Sequence, residues 1–571
     1  MTDVGINIFE GVAAGQSPYK EPSKRNIGLL GQFTRGASFT PTKIESMEEF
    51  DAVFGGQNNS FFGPAIVRSI FVEAKNSPVT LYIARVVGTG SEVADGLTTL
   101  TDDATMEVSA SYKGSVDTGS WANGIVVTLY SYSSVVKDMF TLIVKYKDAT
   151  EQYHGPTLTD IQKSVNKTSK YIMVSFSKEI NKLVLKNLTG TVTAQLNTSE
   201  VTGIDTKFLT ELSVGSTLYD SDGKVVGVVS SISTDTKLTL SGRPLVAVTS
   251  TAISKRDDKT YSVTLSGGAD GAVSESDFYP VESSISPKGL ACFDGADVQI
   301  IFCTEYHSLS MAKVLDQYLT KCKGPIGIIN LPLNSDEGTA ELYAMELQKS
   351  GVSYLAGAYL GWCKVPDSEG NPVLIPAAGP VIGAGYLRTP YLQGGYIHIP
   401  PAGVDSLLSN VIEVIPAGLS QPVINKLVSQ FSCNFLQKLD NSGYYVGSSR
   451  SYSTDDLYSS IHIRLQTSYY VRALKSKLRF LEQKNNSPEL KREALVELNR
   501  FFKTEWENGA LERSVSFDTA YQGICDKSNN PPTQDRKLMN ISCLYIPSEC
   551  TEKIRIDLQR NDRVLLTLET E

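Results

Sequence analysis

The pattern of apolar and polar positions changes texture twice along the 571 residues. From 27 to 91 it predicts β-α-α-β: a buried strand in IGLLGQFT (27–34), a short helix in MEEFDAVFG stopped at Gly55-Gly56, a helix over 64–76, and an apolar strand in VTLYIARVV (79–87). Helical spacing at Ile66, Ile70, Val72 and Ala74, with Pro64 in the first turn, supports the second helix. From about 92 to 280, Thr, Ser, Val, Gly and Asp dominate in short alternating runs such as GIVVTLYSY and FTLIVKY, which predict strands. Within this stretch, residues 190–253 read as a compact β module, with turn signals at Asp222-Gly223 and Thr234-Asp235.

From 285 onward apolar strands (DVQIIFCTEY, GPIGIINLP, GVSYLAGAYLGW) alternate with amphipathic helices (SLSMAKVLDQYLTKC, DEGTAELYAMELQKS), the signature of a largely parallel sheet. Helices are predicted over 420–440 and 466–484, the latter with Val471, Leu474, Leu478 and Leu481 on one stripe. A third starts at Ser487-Pro488 and ends before Gly509. The Gly-rich run GPVIGAGYL (379–387) is predicted to be a tight loop. Both ends read as lone strands: residues 3–9, with Val4, Ile6 and Ile8, on a linker of about 17 residues, and residues 563–571, with Val564, Leu566 and Leu568, beyond a strand at Ile554–Leu558. Lone strands need a host sheet.

Composition narrows the function class. Apolar residues make up 41% and the net charge is −9, so cores can be buried and nucleic acid is not an expected partner. No apolar run approaches the roughly 18 residues of a membrane span, and no signal-peptide pattern is read at the N-terminus. The eight cysteines lack metal-ligand spacing and read as reduced, buried thiols. His154, His307, His398 and His462 are scattered. GSTLYDSDGKVV only imitates a phosphate loop, because Gly215 and Gly223 are wrongly spaced and no Ser or Thr follows Lys224. No nucleophile elbow occurs, and no cofactor, metal site or enzyme activity is expected.

Three stretches carry a family resemblance. NIGLLGQFTRGASFTPTKIESMEEFDAVFGG with the following VTLYIARVVG, the run from Ser353 to Val404, and the run from Ser442 to Leu481 with the later WENGALERS resemble contractile tail sheath proteins in order and type. GSWANGIVVTL (119–129) and TLSGGADG (264–271) are similar to that family's β-domain signatures. The sequence departs from the family pattern at Gly361, at Pro390 and over Val446–Ser451. Together the patterning and the resemblance give an α/β (α+β) sheath core with a large β-rich insertion domain, and extended N- and C-terminal strand arms; the further small β module carried by the insertion is an addition to the family pattern. The expected organisation is an arm and linker (1–26), the first part of the core (27–91), the insertion (92–280, with the module 190–253 outermost), the second part of the core (281–400), a C-terminal sheath domain forming an inner layer (401–562), and a terminal arm (563–571).

The resemblance also implies a mechanical function. Subunits would form a helical homo-oligomer of six-subunit layers around an inner tube protein, with baseplate and tail terminator proteins as further partners. They would be assembled in a bacterial cytoplasm into a virion tail and contract from a metastable extended state. A type VI secretion-like sheath component and an α/β enzyme with a β-rich insert are the alternatives. Residues 464–486 carry a net charge of +5, and Arg472, Lys475, Lys477 and Arg479 are candidate tube-facing residues; an ordinary solvated helix face is the competing reading. The two arms are expected to add as strands to neighbouring subunits.

Overall fold

The computed structural model describes residues 25–131, 139–180, 185–256, 259–349, 353–439, 443–534 and 537–551. Both arms, and the expected strand at 554–558, lie outside the described residues. The chain divides into two units: one of Met1–Leu29, Ala65–Tyr82 and Phe293–Glu571, the other of Leu30–Pro64 and Ile83–Cys292.

In the first unit, strands Ile300–Cys303 and Ile326–Ile328 run parallel with Ile300 opposite Ile326. Their continuous burial suits a sheet covered on both faces. The crossover helix Leu309–Cys322 starts where Ser308 accepts a bond from the Met311 N–H (3.0 Å), and Glu337–Leu347 starts at Asp336, which accepts from Thr339 (2.9 Å). A second sheet orders Tyr359–Leu360, Asn434–Leu439, Gly443–Val446 and Gly403–Leu408. A third places Trp362–Pro366 between Pro372–Pro376 and Glu413–Ile415, all antiparallel.

Three sequence expectations change here. Residues 379–387 are helical rather than a loop: Ala378–Val381 continues through a π-helical turn, Ile382–Arg388, into Thr389–Leu392. The glycines serve close packing. A Cβ on Gly383 would lie 2.5 Å from the Ile70 carbonyl oxygen, and one on Gly385 would lie 2.5 Å from that of Pro401. Residues 420–440 split into the helix Gln421–Ser429 and the strand Asn434–Leu439, with Ser432 at a positive φ of 49° between them. The helix expected over 466–484 begins earlier, at Ile461, and regular α-structure ends at Lys477. Its buried face is Ile461, Ile463, Leu465, Tyr469, Tyr470 and Ala473, while Val471 is 53% exposed.

A buried carboxylate ties this unit together. Glu73, on the helix Phe62–Ala74, is fully buried. It accepts from the backbone N–H groups of Ser409 (2.9 Å) and Asn410 (2.7 Å), and Arg388 Nη1 donates to its carbonyl oxygen at 2.9 Å. Arg388 also bonds the Leu407 carbonyl. Charge-assisted bonds of this kind contribute about 1.5–3 kcal/mol each.

The second unit contains two antiparallel sheets over one core. One orders Ile172–Phe176, Thr105–Tyr112 and Asp95–Thr99; the other Thr260–Thr264, Val126–Tyr130, Phe140–Tyr146 and Ala149–Gly155. Alternate residues Met106, Val108 and Ala110 of the first sheet and Val127, Leu129, Leu142 and Val144 of the second point inward. The helix Leu158–Thr168, not foreseen in this β-rich stretch, packs Ile161 and Val165 on the same core. Eight short strands between Leu185 and Arg256 form a further sheet with a core of its own, including Val192, Val201, Phe208, Leu218, Val226 and Leu238.

Burial holds the imidazoles of His307 and His462 down at about 4, against an ordinary value near 6.5. The unfolded chain therefore binds protons first as pH falls. The stability contribution of each neutral histidine is complete above about pH 6.5 and is lost as pH falls towards 4, by about 2 kcal/mol each at pH 5. Urea midpoints at pH 7 and pH 5 should show this loss, and the double variant His307→Gln, His462→Gln should show a shallower pH slope. An identical slope in the variant would rule the histidines out as its cause.

Candidate assembly surface and buried clamp

The C-terminal part of the first unit builds an open-edged strand pair. Tyr521–Ile524 and Ser542–Tyr545 run antiparallel, Tyr521 opposite Tyr545 and Gly523 opposite Cys543, and among the described residues no third strand joins their sheet. Two strands alone are marginal in water. Here aromatic packing supports them: the ring of Phe502, from the helix Pro488–Glu507, stacks 4.2 Å from Tyr521, and Tyr470 meets Tyr545 edge-on at 5.3 Å. Ser487 Oγ caps that helix by accepting from Leu490 (3.2 Å). Leu544 and Ile546 are 55% and 45% exposed beside the edge. Beyond Tyr545 the chain pairs with residues 510–512, through Glu512 N–H to Ile546 O and Ser548 N–H to Ala510 O, and reaches Thr551, from which residues 552–571 continue. Sequence reasoning did not single out this pair; its short, half-buried strands carry little periodicity.

The basic candidates lie on the neighbouring helix Ile461–Lys477 and the turn after it. Lys475 and Arg479 are exposed, and Arg479 is 4.0 Å from Glu482. Lys477 is half-buried, its ammonium 5.7 Å from the Phe501 ring. Arg472 is also half-buried, and burial lowers its guanidinium to about 10 against the opposing pull of Asp297. Arg464, counted in the same positive stretch, is buried 4.4 Å from the Tyr354 ring. The arm residues Val4, Ile6, Ile8, Val564, Leu566 and Leu568 lie outside the described residues.

The second unit holds a buried clamp. Arg85 donates through Nε to Phe33 O (2.9 Å), through Nη1 to Asp117 Oδ1 (2.9 Å) and Thr118 O (2.6 Å), and through Nη2 to Asp270 Oδ1 (3.2 Å). The second carboxylate oxygen of Asp117 accepts from Gly36 N–H at 2.7 Å. Gly36 needs its φ of 115°, and a Cβ there would meet the Phe54 ring at 2.7 Å. Next to it, the Arg35 guanidinium lies 5.4 Å from the Trp121 ring and 5.3 Å from that of Tyr171. The clamp thus gathers the Arg-Gly turn, the strand-ending arginine, the segment at 117–121 and the SGGADG loop. Burial pushes Asp117 up to about 6, with Arg85 opposing.

Burial pushes the thiols of Cys303 and Cys433 up to about 12, which disfavours the nucleophilic thiolate. Among the described residues no group of three His, Cys, Asp or Glu could hold a metal ion, and no helix is long and apolar enough to cross a membrane. A groove of about 820 Å³ is lined by Gln421, Asn425, Phe435, Gln437, Arg450 and Thr551, among others.

No protein-family model and no curated protein matches the sequence. Solved structures do. A sheath tail protein from Listeria innocua matches with a TM-score of 0.52 over 92% of this chain and 96% of its own, at 11% identity. A sheath tail protein from Desulfitobacterium hafniense gives 0.49 over 95% and 100%, also at 11%. The contracted helical sheath of the anti-feeding prophage gives 0.40 over 48% and 72%, at 18%. The Listeria likeness, spanning nearly the whole of both chains, establishes the fold as that of a tail sheath protein.

The clamp makes a graded prediction. Asp117→Ala strands a buried guanidinium and should lower stability to urea by about 3–5 kcal/mol. Asp270→Ala removes a half-exposed partner and should cost under about 1 kcal/mol. Equal effects of the two substitutions would mean that the Arg85–Asp117 pair is not the central bond.

Proposed function

We propose that this chain is the structural subunit of a contractile tail sheath. It polymerises as six-subunit layers around an inner tube in a metastable extended state and contracts to drive the tube through a target envelope. The observation that carries this reading is the sheath-tail-protein fold over 92% of the chain. The open strand pair at Tyr521–Ile524 and Ser542–Tyr545 supports it, because a polymer needs unsatisfied edges that a monomer does not fill. Its partners are further copies of itself, the tube protein, and the baseplate and terminator at the two ends; its place is the tail of a virion or phage-like particle assembled in a bacterial cytoplasm.

Two features divide the work. The arms, through Val4, Ile6 and Ile8 and through Val564, Leu566 and Leu568, add as strands to the open pair of neighbouring subunits. Four to six backbone hydrogen bonds per strand, at about 0.5–1.5 kcal/mol each, give several kcal/mol per link. The exposed Lys475 and Arg479, with Arg472 and Lys477 beside them, face an acidic tube through contacts worth about 0–1 kcal/mol each, which remain breakable. The module 190–253 takes no part in polymerisation.

Negative-stain microscopy tests the reading: the full chain, and a chain lacking 190–253, should form tubes or striated cylinders, and monodisperse particles from the full chain would overturn it. Removing residues 1–12 or 563–571 should leave a folded monomer that no longer polymerises; normal sheaths from both truncations would refute the linkage by arms. Reversing charge at Lys475 and Arg479 to Glu should reduce tube-templated assembly at low salt, and undiminished assembly would assign these residues to a solvated face.

A further inference from the structure

The root of the N-terminal arm is held in an unusual way. Arg25 is preceded by the 24 residues of arm and linker and followed, after Asn26, by the strand Ile27–Gly31. Its guanidinium donates through Nη1 to Tyr386 O (2.9 Å) and through Nη2 to Ile397 O (3.0 Å), Tyr396 O (3.2 Å) and Ile399 O (3.3 Å). Every one of these acceptors is a backbone carbonyl. Nε is closed off from solvent. Tyr386 belongs to the π-helical turn Ile382–Arg388.

We infer that Arg25 is the anchor of the N-terminal arm, pinning the chain to the π-helical turn and to residues 396–399 so that a pull on residues 1–24 stops at this point. The inference rests on the sheath reading for the existence of that pull. Two features suit the task. Backbone carbonyls cannot swing away as a carboxylate side chain can, so the bonds hold only in one orientation. The fork of a guanidinium presents its donors to two segments in a fixed planar geometry, where an ammonium is a compact point charge on a flexible stem. Asn26 adds a second stop, its N–H on Gln299 Oε1 (2.7 Å) and its Nδ2 on Asp297 O (2.8 Å), before strain reaches the strand. The 17 residue-to-residue steps from Ile8 to Arg25 then set the slack of the arm, about 55 Å when extended. Burial lowers the guanidinium to about 9, so it stays charged under ordinary conditions.

The experiment compares the full-length chain with Arg25→Lys and Arg25→Gln. In the isolated subunit, amide exchange over residues 26–31 should quicken at least tenfold in both variants, with the urea midpoint of the whole chain unchanged. In sheaths assembled on tubes, both variants should assemble but break into short stacks of rings when contraction is triggered, while the parent chain stays in one piece. Unchanged local exchange, or faster exchange only together with a lower global midpoint, would overturn the anchor and make Arg25 an ordinary stabilising residue. Intact contracted sheaths from both variants would overturn it equally. Should the parent chain form no sheath at all, the sheath reading fails by itself, and the exchange measurement still decides whether Arg25 pins the root.

Discussion

A guanidinium removed from water has five N–H groups to satisfy, and the fold is organised around meeting that demand with main-chain oxygen. Arg85 collects Phe33 O, Thr118 O and two carboxylates; Arg388 collects Glu73 O and Leu407 O beside the Glu73 carboxylate; Arg25 collects four carbonyls and nothing else. In each case the arginine lies far in sequence from at least one of its acceptors, so it ties distant segments of its own unit together. Main-chain carbonyls are present whatever side chain occupies a position. Such a clamp constrains few side chains: the arginines, the buried Asp117 and Glu73, and glycines such as Gly36 that let the backbone approach.

What could be read from sequence follows from the range of the forces involved. Alternation marked GIVVTLYSY and FTLIVKY as strands, and Ser487 with Pro488 marked the start of a helix, because these effects act within one or two turns or strands. The errors occur where a distant contact overrules local preference. Gly383 and Gly385 argue for a loop by propensity, yet they sit in a helix because the carbonyls of Ile70 and Pro401 come too close for any side chain. Residues 424–439 keep a helical spacing of apolar groups, but the buried Asn434 amide donates to Gly357 O (2.7 Å) and Arg450 O (3.0 Å), which turns the second half into a strand. The motifs that resembled sheath proteins were visible one by one. Their meeting at Arg85 was not, since Gly36, Asp117 and Asp270 are joined only by the fold.

A contracting polymer would need two classes of contact in one subunit, one that persists and one that lets go. Strand addition supplies the first: ladder bonds along one backbone must break together, and several kcal/mol per link corresponds to a dissociation constant lowered by orders of magnitude. Exposed ammonium and guanidinium groups supply the second, because solvent and salt compete for each of them separately. In the proposed sheath these two classes of contact would be joined mechanically. Tyr545 on the open strand pair bonds Thr467 on the basic helix through their hydroxyl groups (2.9 Å), and the rings of Tyr470, Phe502, Tyr521 and Tyr545 fill the space between. A close-packed aromatic cluster does not shear gradually; it moves as a body or separates. In the sheath reading, displacement at the strand edge would therefore arrive at Lys475 and Arg479 undiminished, so that the bond that must hold and the bonds that must release are driven by the same rigid element.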